Sequence, residues 1–88
     1  MNDLASPAAT DAVAHGRARI DEIDQEIIDL VRQRVAVSAA IQQARIASGG
    51  RRIELSREME VIGRYRDALG KPGTSVAMSL LDLCRGRT

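Results

Sequence analysis

The chain has 88 residues, room for one small domain, and with a single aromatic residue any core must be built from aliphatic side chains. Lysine and arginine total 13 against 12 acidic residues, and this net charge of +1 argues against general binding to nucleic acid through a dense basic surface. One cysteine, Cys84, excludes an internal disulfide and fits a reducing compartment.

The N-terminal residues resemble neither a membrane anchor nor a secretory signal. No apolar run approaches the ~20 residues of a membrane span, and the basic and apolar regions of a signal peptide are missing. We therefore expect a cytoplasmic protein. Residues 1–9 have little to bury and predict a flexible N-terminal arm, followed by one helical domain over residues 10–88.

The longest predicted element is one uninterrupted helix over residues 10–47, which Thr10 or Asp11 can cap. Its apolar residues recur at helical spacing and predict a core-facing stripe, made of Ile20, Ile23, Ile27, Leu30, Val37, Ile41 and Ala44. Arg34 interrupts this stripe where a helix that needs only burial would carry leucine. Arg17 and Arg45 belong to a second seven-residue row beside it.

Glycine and proline divide the rest of the chain. The pair Gly49-Gly50 ends the long helix, and residues 51–55 form a short connector. A second helix, capped by Ser56, runs to about residue 69. The run Gly70-Lys71-Pro72-Gly73 predicts a break, after which a third helix starts at Thr74 or Ser75 and stops at Gly86. The expected fold class is all-α, with one long, one medium and one short helix.

The arginine spacing on the long helix predicts a pair of chains. Arg17 and Arg45 are 28 positions apart, roughly 42 Å along a helix that rises ~1.5 Å per residue, so one small ligand cannot touch both in one chain. If two copies pair antiparallel about the middle of this helix, Arg17 of one comes within reach of Arg34 and Arg45 of the other. We therefore expect an intertwined antiparallel homodimer with two equivalent cationic pockets, suited to bidentate capture of carboxylate or phosphate.

Together with Ser56-Arg57-Glu58 at the start of the second helix, these arginines resemble the all-helical chorismate mutases, a family of intertwined dimers. The most specific pieces are Arg17-x-x-Ile20-Asp21-x-x-Asp24 with Ile27-x-x-Leu30, then Arg34, Arg45 and Ser56-Arg57-Glu58. Ala44-Arg45-x-Ala47-Ser48-Gly49-Gly50 and the ending Arg85-Gly86-Arg87 are similar to the short actinobacterial subgroup. Members of that subgroup are activated by 3-deoxy-D-arabino-heptulosonate 7-phosphate (DAHP) synthase.

The resemblance implies an isomerase of the shikimate pathway that rearranges chorismate to prephenate within one molecule. Such a reaction needs no nucleophile, metal or cofactor, and the protein must hold the substrate folded and stabilise the charge that separates on the ether oxygen. The catalytic residues implied are Arg45 against that oxygen, Arg57 near a carboxylate or the enolpyruvyl group, and Glu58 as acceptor for the ring hydroxyl.

The substrate-binding residues implied are Arg17 of the neighbouring chain and Arg34, which would clamp the two carboxylates, and Glu54. For Glu54, a role in binding the ring hydroxyl and a plain surface position both remain open. Relatives carry a glutamine in the last helix that donates to the ether oxygen, but no glutamine follows Gln43 here. Loss of such a donor costs about 2.7–4 kcal/mol, so we expect modest activity from the chain alone.

Other interpretations stay open beside this one. The resemblance implies activation by DAHP synthase through a docking surface that includes residues 85–88. Arg34, taken alone, could be a structural arginine paired to Asp24, Glu26 or Asp29. The chain could be a non-enzymatic helical dimerisation module whose arginines make ion pairs. It could also be a related enzyme, a pyruvate lyase acting on isochorismate or a mutase acting on 4-amino-4-deoxychorismate.

Overall fold

The structure of the chain, a computed structural model, describes residues 7–50 and 54–85, and three helices account for nearly all of them. Helix α1 spans Pro7–Ala47, α2 spans Leu55–Leu69 and α3 spans Lys71–Cys84. No strand occurs in the described ranges. The predicted all-α class, with one long and two shorter helices, is confirmed.

Helix α1 begins three residues earlier than predicted. Pro7 is its first residue, and proline suits that position because the N–H it lacks would find no partner inside the helix. Thr10 and Asp11 therefore lie within the helix, so the prediction that one of them caps it was wrong. Residues 1–6 of the predicted arm lie outside the described residues.

The end of α1 matches the sequence prediction. Gly49 has a φ of 85°, in the left-handed region that favours glycine, and the Gly50 N–H donates to the Arg45 carbonyl oxygen at 2.6 Å. This turn gives one of the last α1 carbonyls a partner. The predicted connector continues into residues 51–53, which lie outside the described part of the chain.

Both shorter helices also begin before their predicted starts. Glu54 is the N-cap residue of α2, in an extended conformation and without a side-chain cap, so Ser56 lies in the first turn and does not cap the helix. The predicted break over residues 70–73 contracts to one residue, because α3 begins at Lys71 directly after Gly70, whose φ is 79°. Pro72 did not mark a break, since proline is compatible with the first turn of a helix.

The buried residues lie between α2 and α3. They are Val61, Gly73, Ala77, Leu81 and Cys84. A Cβ added at Gly73 would lie 2.7 Å from the Tyr65 carbonyl carbon and closer still to its oxygen, so the two backbones approach closely at this point. The end of α3 reaches the beginning of α2 through a contact between Arg85 and Glu58, and the two helices therefore form an antiparallel hairpin.

The chain divides into two compact units, one ending at Leu30 and the other beginning at Val31. The described part of the first unit is the α1 segment 7–30. The second unit holds the rest of α1 and the α2–α3 hairpin. No residue of α1 is buried in either unit.

The apolar stripe of α1 is exposed, so the prediction that it faces a core was wrong for the single chain. Ile27, Val37 and Ile41 are 51%, 60% and 51% exposed. In the second unit the half-buried α1 residues are Arg34, which interrupts the stripe, and residues beside the stripe, namely Val31, Val35, Ser38, Gln42 and Arg45. Arg34, Ser38 and Gln42 of this mostly polar face contact α3, and the apolar residues of the stripe stay uncovered.

None of the described helices is both long and apolar enough to cross a membrane.

Candidate functional site

Three side chains of α1 contact the last residue of α3. Arg34 Nη1 donates to Cys84 Sγ at 2.9 Å, while Gln42 Nε2 and Ser38 Oγ donate to the Cys84 carbonyl oxygen at 3.0 and 3.3 Å. Carbonyls in the last turn of a helix have no partner within it, so side chains of α1 supply the hydrogen-bond donors that α3 lacks. We call this set of residues, Arg34, Ser38, Gln42 and Cys84, the α1–α3 junction.

Sequence reasoning missed Ser38 and Gln42, although a signal was present. When α1 is divided into rows of residues seven apart, Ser38 shares a row with Arg45, and Arg34 lies in a different row. Residues four apart nevertheless lie on one helix face, and this spacing joins Arg34, Ser38 and Gln42. Gln42 also lies three positions before Arg45, so one face carries two arginines with an amide and a hydroxyl between them.

The charge of Arg34 has no carboxylate partner within residues 31–50 and 54–85. Its partner there is the Cys84 sulfur, which is a weak acceptor. Cys84 itself is 4% exposed and belongs to the buried core. Arg34 is thus half-buried with most of its donors available, a state that suits an anionic ligand.

Arg45 pairs with Glu54 across the connector. Arg45 Nη1 lies 3.0 Å from Glu54 Oε2, and the side chains are 31% and 51% exposed. The hydrogen bond from Arg45, followed by its positive charge, holds the pKa of Glu54 below its ordinary value. The pair ties the last turn of α1 to the residue before α2, so Glu54 contacts a predicted catalytic arginine directly.

Glu58 pairs with Arg85, which follows α3. Arg85 Nη2 lies 2.6 Å from Glu58 Oε1, and the Glu58 side chain is only 16% exposed. The hydrogen bond and the charge of Glu58 raise the pKa of Arg85, which therefore remains a cation. A second carboxylate, Asp82 on α3, lies 3.6 Å from Arg85 Nη1 and is more exposed.

The two remaining predicted site residues, Arg57 and Arg17, are exposed. Arg57 turns along α2 to Glu60, with 3.4 Å between Nη1 and Oε1. Arg17 lies on the exposed α1 segment of the first unit. Of the six predicted site residues, the second unit therefore holds five, with Arg34, Arg45 and Glu58 half-buried and Glu54 in contact with Arg45.

The chemistry of this set is cationic and hydrogen-bonding. Arg34 and Arg45 lie 11 positions apart on one helix face, roughly 16 Å along the axis, and two long side chains can converge over that length. Within residues 7–50 and 54–85 no group of three or more His, Cys, Asp or Glu side chains could hold a metal ion. The arrangement can bind carboxylates through guanidinium groups and accept a hydroxyl hydrogen at Glu58.

Known proteins share both the sequence and the fold. Residues 16–79 match the family model for chorismate mutase type II. Over 71 residues the chain is 55% identical to the intracellular chorismate mutase of Mycolicibacterium smegmatis, covering 81% of this chain and 68% of that protein. It is 54% identical to the protein of the same name from Mycobacterium tuberculosis, with 81% and 67% covered.

A solved structure gives a close structural match. It is a chain of the non-covalent complex of DAHP synthase and chorismate mutase from Corynebacterium glutamicum, which contains a bound transition state analog. The TM-score is 0.86 at 33% sequence identity, and the match covers 93% of this chain and 99% of the other.

Proposed function

The chain belongs to the type II chorismate mutase family, and on that premise we propose how its residues convert chorismate to prephenate. The protein is a chorismate mutase, an isomerase. The observation that carries the proposed site is the half-buried polar face of α1, where Arg34 and Arg45 flank Ser38 and Gln42. The guanidinium groups on this face suit a small molecule with two carboxylates.

The rearrangement breaks a carbon–oxygen bond while a carbon–carbon bond forms in the same molecule. The protein accelerates it by holding the substrate folded and by stabilising negative charge on the departing ether oxygen. Arg45 is the group proposed to face that oxygen. Arg34 binds one substrate carboxylate, and the second carboxylate is bound by Arg17 of a second copy. Arg57 approaches the substrate from α2 once it leaves Glu60.

Glu54 acts through Arg45 in this proposal. Sequence reasoning left open whether it binds the ring hydroxyl, and its 3.0 Å ion pair supports a different role, that of orienting the Arg45 guanidinium. An arginine at the end of a helix has many accessible rotamers, and one fixed acceptor reduces their number. Glu58 keeps its proposed role as acceptor for the ring hydroxyl.

A second copy of the chain is part of the proposed site. The uncovered stripe of α1, including Ile20, Ile27 and Val37, exposes apolar surface that a second α1 can bury. Pairing about the middle of α1 also brings Arg17 to the partner's site. We expect a dimer by analytical ultracentrifugation, and Ile27→Glu should dissociate it and abolish turnover. A fully active monomer would refute this part of the proposal.

The substrate is tested by following chorismate disappearance spectroscopically, with isochorismate and 4-amino-4-deoxychorismate as competitors. Prephenate formation from chorismate should exceed turnover of either competitor. Arg45→Ala and Arg57→Ala should each lower kcat/KM at least about tenfold while leaving a folded protein. Arg64→Ala, which removes an exposed α2 arginine, is the matched control and should keep full activity. Full activity in Arg45→Ala and Arg57→Ala would refute the assigned roles.

Complex formation with DAHP synthase is the proposed regulation. The matching Corynebacterium glutamicum structure is a complex with that enzyme. The proposed docking surface includes Arg85, the last described residue, while residues 86–88 lie outside the described part. Adding purified synthase should raise kcat/KM, and an unchanged value would refute activation. The mycobacterial relatives are called intracellular, which supports the proposal that this chain also works in the cytoplasm.

A further inference from the structure

We propose that Arg85 is a positioning residue for Glu58, which it holds through one carboxylate oxygen while the other stays open to the ring hydroxyl of the substrate. This inference rests on the proposed function, since it assigns a purpose to Arg85 only if Glu58 accepts that hydroxyl. Arg85 itself would not contact the reacting atoms.

The first support is the rigidity of both ends of the contact. Glu58 lies in the first turn of α2, and Val61, one turn later, is buried against α3. Arg85 directly follows α3, and its backbone N–H donates to the Leu81 carbonyl oxygen at 3.0 Å. The 2.6 Å contact therefore joins two anchored backbones, and the guanidinium fixes the direction of the carboxylate.

The second support is that the pair is incomplete. A fully bidentate arginine–carboxylate pair makes two parallel hydrogen bonds. Here Nη2 contacts Oε1, whereas Nε of Arg85 is buried and has no partner within residues 7–50 and 54–85. Within the same residues Glu58 Oε2 has no hydrogen-bond donor, so it can accept a hydrogen bond from a ligand without loss of the Arg85 contact.

The third support is electrostatic. Chorismate carries two carboxylates, and an unbalanced Glu58 would repel it. Arg85, at the end of α3, balances that charge at 2.6 Å from Glu58 Oε1, so the carboxylate can accept a hydroxyl hydrogen at little electrostatic cost. Its other carboxylate neighbour, Asp82, is at 3.6 Å and half exposed, so Glu58 is the closer partner.

The test compares two substrates, chorismate and an analogue in which hydrogen replaces the ring hydroxyl. We expect Arg85→Gln to lower kcat/KM for chorismate about tenfold and to leave turnover of the analogue within about twofold of the wild type. Arg64→Gln, an exposed α2 control, should affect neither. If Arg85→Gln lowers kcat/KM by the same factor on both substrates, Arg85 has a general structural role and the inference is overturned.

A double-mutant cycle separates this inference from the proposed function. In a Glu58→Gln background, Arg85→Gln should cause no further loss, and additive losses would overturn the inference. Loss in Glu58→Gln with full activity in Arg85→Gln would overturn the inference alone, whereas a wild type inactive on chorismate would overturn both. Arg85→Lys keeps the positive charge and provides a folded comparison if Arg85→Gln unfolds. It should retain a higher kcat/KM for chorismate than Arg85→Gln does.

Discussion

Replacing Gly73 by alanine tests the close approach of α2 and α3 that places Glu58 beside Arg85. The new Cβ would lie 2.7 Å from the Tyr65 carbonyl carbon and 3.1 Å from the Leu69 Cβ. The first contact is with backbone, which cannot move away by changing a rotamer. The two helices must therefore separate at this point, or the start of α3 must unwind.

The expected cost follows from overpacking. Forcing an extra methyl into a packed interface costs about 1–3 kcal/mol, and alanine returns less than about 1 kcal/mol through its higher helix propensity. We expect Gly73→Ala to lower the free energy of unfolding by about 2 kcal/mol. For a chain of this size the melting temperature should fall by about 8 °C or more.

Thermal unfolding followed by circular dichroism, at one fixed protein concentration, measures this effect. Gly63→Ala is the matched control, because Gly63 lies inside α2 and a Cβ there meets no atom within 4 Å. Gly63→Ala should keep or raise the melting temperature, since alanine is the better helix former. If Gly73→Ala melts at or above the wild-type temperature, the described α2–α3 packing is wrong.

Three further predictions concern the candidate site. Glu54→Gln should lower kcat/KM severalfold at neutral pH. Arg45 holds the pKa of Glu54 below its ordinary value, so the ion pair is complete above the ordinary pKa and is lost only as pH falls through the lowered pKa. The ratio of wild-type to variant kcat/KM should therefore be constant between about pH 6 and 8, and a ratio that varies there would contradict the role of the pair. Cys84, buried in the folded chain, should react with a thiol reagent at least about tenfold faster in urea than in buffer, and equal rates would contradict its burial. Gln42→Ala should lower the free energy of unfolding by about 1 kcal/mol, because it removes the hydrogen bond to the Cys84 carbonyl oxygen. The exposed control Gln43→Ala should lower it by less than about 0.5 kcal/mol, and equal losses would argue against the α1–α3 junction.

Local chemistry in the sequence was sufficient to predict the helices themselves. The glycines at 49 and 70 end α1 and α2, since both need the left-handed backbone that glycine adopts easily. The helix starts were less well predicted, because a proline is a helix breaker in the interior and a helix initiator in the first turn. Pro7 and Pro72 both lie in the first turn of a helix. Whether a proline starts a helix or interrupts it depends on the chain around it.

The site was only partly predictable. Periodicity identifies which α1 residues share a face, but it does not say whether the same chain covers that face, and Ile27 and Ile41 proved exposed. Glu58 and Arg85 are 27 positions apart and meet because α2 and α3 pack as an antiparallel hairpin, which no local spacing encodes. The roles of the arginines came from the family resemblance, and they remain proposals.

The exposed stripe of α1 has a consequence for how the protein acquires its stability. A single helix of 41 residues that buries no side chain gains little from tertiary packing, which supplies most of the stability of helices in proteins. In the proposed dimer a second α1 covers this helix, so amide hydrogens of residues 7–30 should exchange with solvent more slowly as protein concentration rises. Amides around Val61 and Leu81 already lie in a buried hairpin, and their exchange should depend less on dilution.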